Sequence, residues 1–288
     1  MQNFSMTSAP RPASPHVAAH GRQLLSNLPL TDTQDFTNAD RGFLGKLEPC
    51  VIRADDGSVV WDNDSYDFIA GDAPDTANLS LWRQSTLVAK QGLYEVVEGI
   101  YQVRGFDLSN ITFVEGDTGV IVIDPLICTE TAAAALALYR EHRGDRPVTA
   151  VIHTHSHVDH FGGVKGVTSQ DDDDAGRVVI VAPAGFVGHA VSENVYAGTA
   201  MGRRAGYMYG AALDRGPRGQ IGAGLGQTTS TGTVTLISAH PAQPAHAARC
   251  ARPGRASVEW LSHRGHQHVR RRRGGRVRVP PLAHLGCR

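Results

Sequence analysis

The clearest pattern in the chain is a series of short apolar runs between residues 93 and 152. Residues 94–97, 100–103, 111–114 and 120–123 are rich in β-branched and aromatic side chains and are punctuated by Gly99, Gly105, Gly116 and Gly119. Runs of this length predict strands, and their close spacing predicts an antiparallel meander. Glu115-Gly116-Asp117-Thr118-Gly119 supplies a hairpin turn, with glycines where the backbone needs a positive φ. The period then changes. Residues 131–143 are rich in Ala and Leu, carry Leu136, Tyr139 and Arg140 at helical spacing, and stop at Gly144 with Pro147 beyond. That predicts a helix with a glycine C-cap. The continuous apolar run Val148–Ile152 follows as a buried strand, completing a strand, helix, strand unit.

The flanks are less regular. Residues 1–25 are expected to form a disordered N-terminus, since their Ser, Pro, Ala and His show no periodicity at the start. Leu24, Leu25, Leu28 and Leu30 then suggest a helical arm leading into a loop that reaches Gly45. Residues 58–85 are irregular, and Trp61, Tyr66, Phe68 and Trp82 read as core plugs. Past residue 160, Asp171-Asp172-Asp173-Asp174 reads as a solvated turn ahead of a strand at 178–181. Residues 186–213 read as a helix with Val191, Val195, Ala200 and Met201 on one face, and 233–238 as a strand.

Charge divides the chain. The formal net charge is zero, yet residues 239–288 hold eleven Arg, no Lys and the single acid Glu259, which leaves the first 238 residues at about minus ten. The four cysteines, Cys50, Cys128, Cys250 and Cys287, form no C-x-x-C pair and no dense framework, so reduced structural thiols are expected. With no apolar h-region near the start and no run approaching eighteen apolar residues, a cytoplasmic protein without a membrane span is the simplest expectation.

Chemistry concentrates in His153-Thr154-His155-Ser156-His157-Val158-Asp159-His160-Phe161-Gly162-Gly163, at the carboxyl end of the run 148–152. Sites in α/β sheets are built there. Four of the eight histidines before residue 239 lie in this segment beside a carboxylate. Residues two apart on an extended segment face the same way, so His155 and His157 can serve one ion while Asp159 and His160, beyond the turn, serve a second. Imidazoles with one carboxylate suit zinc best, although iron or manganese also accept such ligands. His153 falls outside the pairing and is expected to end the strand as a supporting or solvated side chain.

His155-x-His157-x-Asp159-His160 resembles the H-x-H-x-D-H signature of the metallo-β-lactamase superfamily, and 154–163 resembles its alkyl sulfatase branch. Two further stretches are similar to that branch: Asp32-Thr33-Gln34-Asp35-Phe36, and the run from Ser192 to Gly210. The resemblance covers roughly 26–238. It implies an α/β (α+β) fold, the metallo-β-lactamase-like αββα sandwich, incomplete here at its C-terminal side. It also implies two zinc ions held by His155, His157, Asp159 and His160, with Asp159 orienting a water between them. Asp124, in the place of the superfamily's first motif aspartate, is then expected to brace the ligand loop from behind. The implied reaction is hydrolysis of long-chain alkyl sulfate esters to alcohol and sulfate. Arg203, Arg204, Tyr207 and Tyr209 are candidate contacts to the substrate's sulfate.

Past Ser238 the likeness is expected to stop. The Arg-, Ala-, Pro- and Gly-rich composition of 239–288 is what an out-of-frame reading of GC-rich DNA gives. Relatives complete their metal sites with two glutamates and a histidine downstream, are often exported, and dimerise through a further domain without counterpart here. His263, His266 and His268 with Glu259 offer a replacement set, but nothing in the sequence positions them. Arg270-Arg271-Arg272-Arg273 offers only sequence-independent attraction to phosphates, so no specific nucleic-acid partner is expected. Two other readings stay open: a different dinuclear hydrolase of the same fold, such as a lactamase or thioesterase, and a catalytically inactive remnant.

Overall fold

The structure, a computed structural model, describes residues 11–237 together with the backbone of 240–241, 259–263 and 266–270. Helices α1 (Pro15–Leu25) and α2 (Gln34–Asp40) lead into strand β1 (Phe43–Gly45) and the hairpin of β2 (Val51–Arg53) and β3 (Val59–Asp62). Helix α3 (Leu79–Val88) precedes the meander β4 (Gly92–Val97), β5 (Ile100–Arg104), β6 (Ile111–Glu115) and β7 (Val120–Ile123). Helix α4 (Thr129–Arg143) crosses to β8 (Val148–Ile152), followed by the short α5 (Gln170–Asp174), β9 (Val179–Ala182) and the long α6 (Phe186–Tyr209). Short strands β10 (His240–Pro241), β11 (Glu259–His263) and β12 (His266–Arg270) complete the described backbone.

The main sheet has the order β1-β4-β5-β6-β7-β8-β9-β10. It is antiparallel from β1 to β7, as the glycine-punctuated meander predicts, and parallel from β7 to β10. The switch follows from the crossover: a strand that returns by way of a helix re-enters parallel to the one it left. β2 with β3 and β11 with β12 form separate two-stranded sheets. Of the expected sandwich, the described residues therefore supply one large mixed sheet and the helical layer on one of its faces.

Alternation within the strands sorts their side chains between the two faces. Tyr101, Val103, Ile111, Phe113, Val120 and Val122 join Ala132, Ala135, Leu136 and Tyr139 of α4 in the main core. Phe113 stacks on Tyr139 with ring centroids 4.6 Å apart. The opposite face gathers Ile100, Val114, Ile121, Ile123, Ala150 and Ile152 into a second buried cluster. Trp61, Tyr66 and Trp82 are buried, as expected of core plugs.

Several expectations change. Part of the N-terminal stretch expected to be disordered is helical: Ser14 accepts the Val17 N–H as N-cap, and Pro15 occupies the first turn, where it lacks no needed donor. The acidic run forms the single-turn helix α5, capped by the Ser169 hydroxyl, because carboxylates are favourable in a first turn. Residues 233–237 form no strand; their polar groups reach the start of α4 and the histidine loop instead, through Thr129 N–H to Thr233 O at 2.9 Å and Thr235 N–H to Gly162 O at 2.7 Å. In α6 only Phe186 and Ala190 are buried, whereas the expected apolar face with Val191, Val195 and Met201 is exposed, since the buried residues of the helix lie in its first two turns. No helix among the described residues is long and apolar enough to cross a membrane. The Arg271–Arg273 tract lies outside the described residues, and Glu259, His263, His266 and His268 fall on strands described by backbone alone.

Candidate metal centre

Parallel pairing sets the last residues of β7 and β8 side by side: Ile123 pairs with Ile152, so Asp124 and His153 leave the sheet together. Asp124 leaves at φ 53°, in the left-handed region that Asp tolerates better than most residues, and Leu126 follows at φ 60°. This turn aims the Asp124 carboxylate across the loop that follows β8. Its Oδ1 accepts the Thr154 N–H at 2.8 Å, while Oδ2 accepts the Thr154 hydroxyl at 2.7 Å and lies 2.9 Å from Nδ1 of His160.

The loop places four donors together. His155 Nε2 is 3.2 Å from His157 Nδ1, and His160 Nε2 is 3.2 Å from Asp159 Oδ2. The rings of His155 and His160 are 4.1 Å apart between centroids. Two ligand atoms on one tetrahedral zinc, each at 2.0–2.2 Å, are separated by about 3.3 Å. Both pairs have that separation: His155 and His157 lie two apart on the extended segment, and Asp159 and His160 lie on the turn that follows it. Among the described residues no group of three or more His, Cys, Asp or Glu side chains gathers to hold an ion. In kind and spacing the donors fit two divalent ions; in number they supply two ligands to each.

Electrostatics follows from burial and neighbours. Burial opposes a charge on His160, but the carboxylates of Asp124 and Asp159 on its two nitrogens outweigh it and lift its pKa to about 9. Asp159 is the reciprocal case: burial pushes its carboxyl up, and the hydrogen bond and charge of His160 bring it below the ordinary range. His155 is held low by burial and by the two neighbouring imidazoles. A neutral imidazole is the form that ligates a metal.

Of the two roles open to His153, the structure selects the supporting one. It is fully buried, its ring stacks on Phe186 at 5.3 Å, and its Nδ1 lies 3.3 Å from the His160 carbonyl. Burial drops its pKa to about 4, so it stays neutral. Gly162 and Gly163 end the loop because nothing larger fits: a Cβ on Gly162 would sit 2.1 Å from the Ile127 carbonyl oxygen, and one on Gly163 2.1 Å from that of Pro125.

The structure does not bring Arg203, Arg204, Tyr207 and Tyr209 to this cluster. Glu193, on the second turn of α6, approaches it, with Oε1 3.4 Å from His157 Nε2. Arg203 lies about 15 Å further along the helix axis, and Tyr209 about 24 Å, at 1.5 Å per residue. Sequence reasoning missed Glu193 as a neighbour of the site, although it lies within the sulfatase-like run. It also missed Ser109, whose hydroxyl donates to the Asp159 carbonyl, and Asp107 beside it. The available signal was a carboxylate set between the apolar residues Phe106 and Leu108.

Comparison with known proteins agrees with this geometry. The family model of the metallo-beta-lactamase superfamily matches residues 104–269, and so runs past Ser238, where the likeness was expected to stop. Over 229 residues, 79% of the chain, the sequence is 56% identical to a linear primary-alkylsulfatase of Pseudomonas sp.. It is 46% identical over 230 residues to an (R)-specific secondary-alkylsulfatase of Pseudomonas sp.. The chain spans 34% of the length of each. Among solved structures, the stereoselective inverting sec-alkylsulfatase Pisa1 from Pseudomonas sp. superposes with a TM-score of 0.76 at 42% identity, covering 88% of this chain and 39% of that one.

Proposed function

The chain belongs to the metallo-beta-lactamase superfamily, and from that premise we propose that it carries the primary ligand loop of an alkylsulfatase, a hydrolase of alkyl sulfate esters. The observation that carries this reading is the pairing of His155 with His157 and of Asp159 with His160 at metal-ligand spacing, in a chain 56% identical to a linear primary-alkylsulfatase. The domain is taken as 26–238, and the compositionally distinct 239–288 as a tail read out of frame.

His155, His157, Asp159 and His160 are the residues that would hold a zinc pair. When bound, zinc supplies positive charge beside the sulfate and acidifies a water. The chain's own groups do the positioning. Asp124 accepts from Nδ1 of His160, which leaves Nε2 as the ligating nitrogen, and its bonds to Thr154 fix the approach of His155. Asp159 is held ionised by His160, so its carboxylate can orient the attacking water. One water adds across the ester bridge as it breaks, one of its hydrogens leaving with the alcohol and the other with the sulfate, which then ionises in solvent. Arg203 and Arg204, well along α6, are read as outside the reacting centre.

Release of sulfate from dodecyl sulfate, measured beside nitrocefin hydrolysis, tests the assignment. The expected result is low, zinc-dependent sulfate release, lost in His155→Ala and Asp159→Ala, and a large increase when the reading frame is restored near codon 238. Nitrocefin turnover in place of sulfate release would assign a different hydrolase of this fold. Zinc-independent release would remove the ligand loop from the reaction.

A further inference from the structure

Asp107 lies in the loop between β5 and β6 and is 3% exposed. It has no cationic partner among the described ion pairs, yet every group aimed at it donates. Oδ1 accepts the N–H groups of Leu108 at 2.8 Å and Ser230 at 3.2 Å. Oδ2 accepts the Ile127 N–H at 3.2 Å, the Thr131 hydroxyl at 2.9 Å and the Ser230 hydroxyl at 2.7 Å. Burial pushes the carboxyl's pKa up against these bonds. The donors come from three distant stretches: the loop itself, the entry to α4, and the segment after α6.

The entry to α4 is also the floor under the ligand loop. Asp107 accepts on either side of the N-cap residue Cys128, from the Ile127 N–H before it and the Thr131 hydroxyl after it. Gly162 lies against the Ile127 carbonyl, Gly163 lies against those of Pro125 and Cys128, and the Gly163 N–H bonds to Leu126 O at 3.1 Å. Two residues on from Asp107, Ser109 donates to the Asp159 carbonyl. One short loop thus holds the floor and also touches the histidine loop itself.

We propose that Asp107 is a positioning residue for the metal-ligand loop, acting through the 125–128 segment on which Gly162 and Gly163 rest. The inference rests on the reading of 155–160 as metal ligands only for its purpose; the mechanical link stands on geometry. An Asn in its place keeps the shape but turns an amide N–H toward N–H donors at one end or the other, so one donor set loses its acceptor.

Hydrogen exchange followed by mass spectrometry on the full chain, with Asp107→Asn, Thr131→Val, Thr131→Ser and Ser230→Ala, tests it. In Asp107→Asn, peptides spanning 155–164 are expected to exchange at least tenfold faster, while those of β6 and β7 stay as in the unsubstituted chain. Thr131→Val should show the same at smaller amplitude, and Thr131→Ser, which keeps the hydroxyl, should restore protection. Faster exchange confined to 105–110, 127–131 and 228–231, with 155–164 unchanged, would overturn the proposal. So would uniform loosening of the whole sheet in the milder Thr131→Val and Ser230→Ala, which serve if Asp107→Asn fails to fold. Cobalt titration in the same samples, read by its visible absorption, addresses the metal reading separately: absence of cobalt binding by the unsubstituted chain would sink that reading and leave the exchange result to decide Asp107.

Discussion

Oδ2 of Asp124 lies 2.9 Å from Nδ1 of His160, joining the end of β7 to the far side of the ligand loop. Because Asp124 has φ 53°, substitutions separate into two kinds. Asn tolerates that backbone and keeps one acceptor, whereas Ala loses both acceptors and is strained. Asp124→Asn should fold with nearly unchanged Tm but bind zinc about tenfold more weakly, within the range of about 10–100-fold seen when a group behind a ligand is removed. Calorimetric titration beside thermal melts checks this; unchanged affinity would show that His160 is oriented by something else.

Metal stoichiometry follows from the pairing. Two protein donors per ion fall short of the three or four that hold zinc tightly. Purified chain should therefore retain fewer than two tightly bound equivalents. Elemental analysis returning two would show that further residues close the shells.

The glycines that end the loop predict a stability effect. A methyl group at Gly162 or Gly163 meets backbone carbonyl oxygens at 2.1 Å, and backbone cannot swing aside as a flexible side chain does. Gly162→Ala should cost about 1–3 kcal/mol, the usual range for overpacking, and lower Tm by several degrees. Thermal melts with a Tm equal to the parent's would contradict the close approach.

Cysteine chemistry gives a pH prediction. Burial, helped by Asp64 and Asp62, pushes the Cys50 thiol up to about 12, and burial also raises Cys128. The thiolate is the reactive form, so a raised pKa means a neutral, unreactive thiol at pH 8. Iodoacetamide at pH 8 should leave both unlabelled in the folded protein and label both after denaturation, by peptide mapping. Labelling of Cys50 in the folded state would refute its burial.

The exposed face of α6 predicts solution behaviour. Val191, Val195, Tyr196, Tyr207 and Met208 are all exposed along α6, and exposed apolar surface favours association. Replacing Val195, Tyr196 and Tyr207 with Lys, Glu and Lys should raise solubility with little change in Tm. Light scattering that shows no reduction in association would place the sticky surface elsewhere.

Sequence reading reached the meander, the histidine cluster at the end of β8 and the place of Asp124 at the end of β7 because each is written locally: a glycine rhythm, a histidine spacing, a strand end. It failed where the outcome depends on what packs against a segment. The apolar residues of α6 do form a helix, but Val191, Val195, Ala200 and Met201 are distributed around it rather than along one side, and they stay exposed while Phe186 and Ala190 are buried. Residues 233–237 have strand-like composition, but their hydrogen bonds go to Thr129 and Gly162. Asp107 was missed for the same reason, since its donors Ile127, Thr131 and Ser230 are distant in sequence and meet only in the fold.

The bond between Asp107 and Ser230 spans 123 residues, and it orders events during synthesis. At a translation rate of about 5–20 residues per second, Ser230 emerges roughly 6–25 seconds after Asp107. The histidine loop leaves the ribosome within that interval, with the entry to α4 already made but one of its fastenings still unsynthesised. The nascent chain thus exposes its imidazoles before the ledge beneath them is locked. A chain released before residue 230 would keep every proposed metal ligand and lack the clasp that sets them.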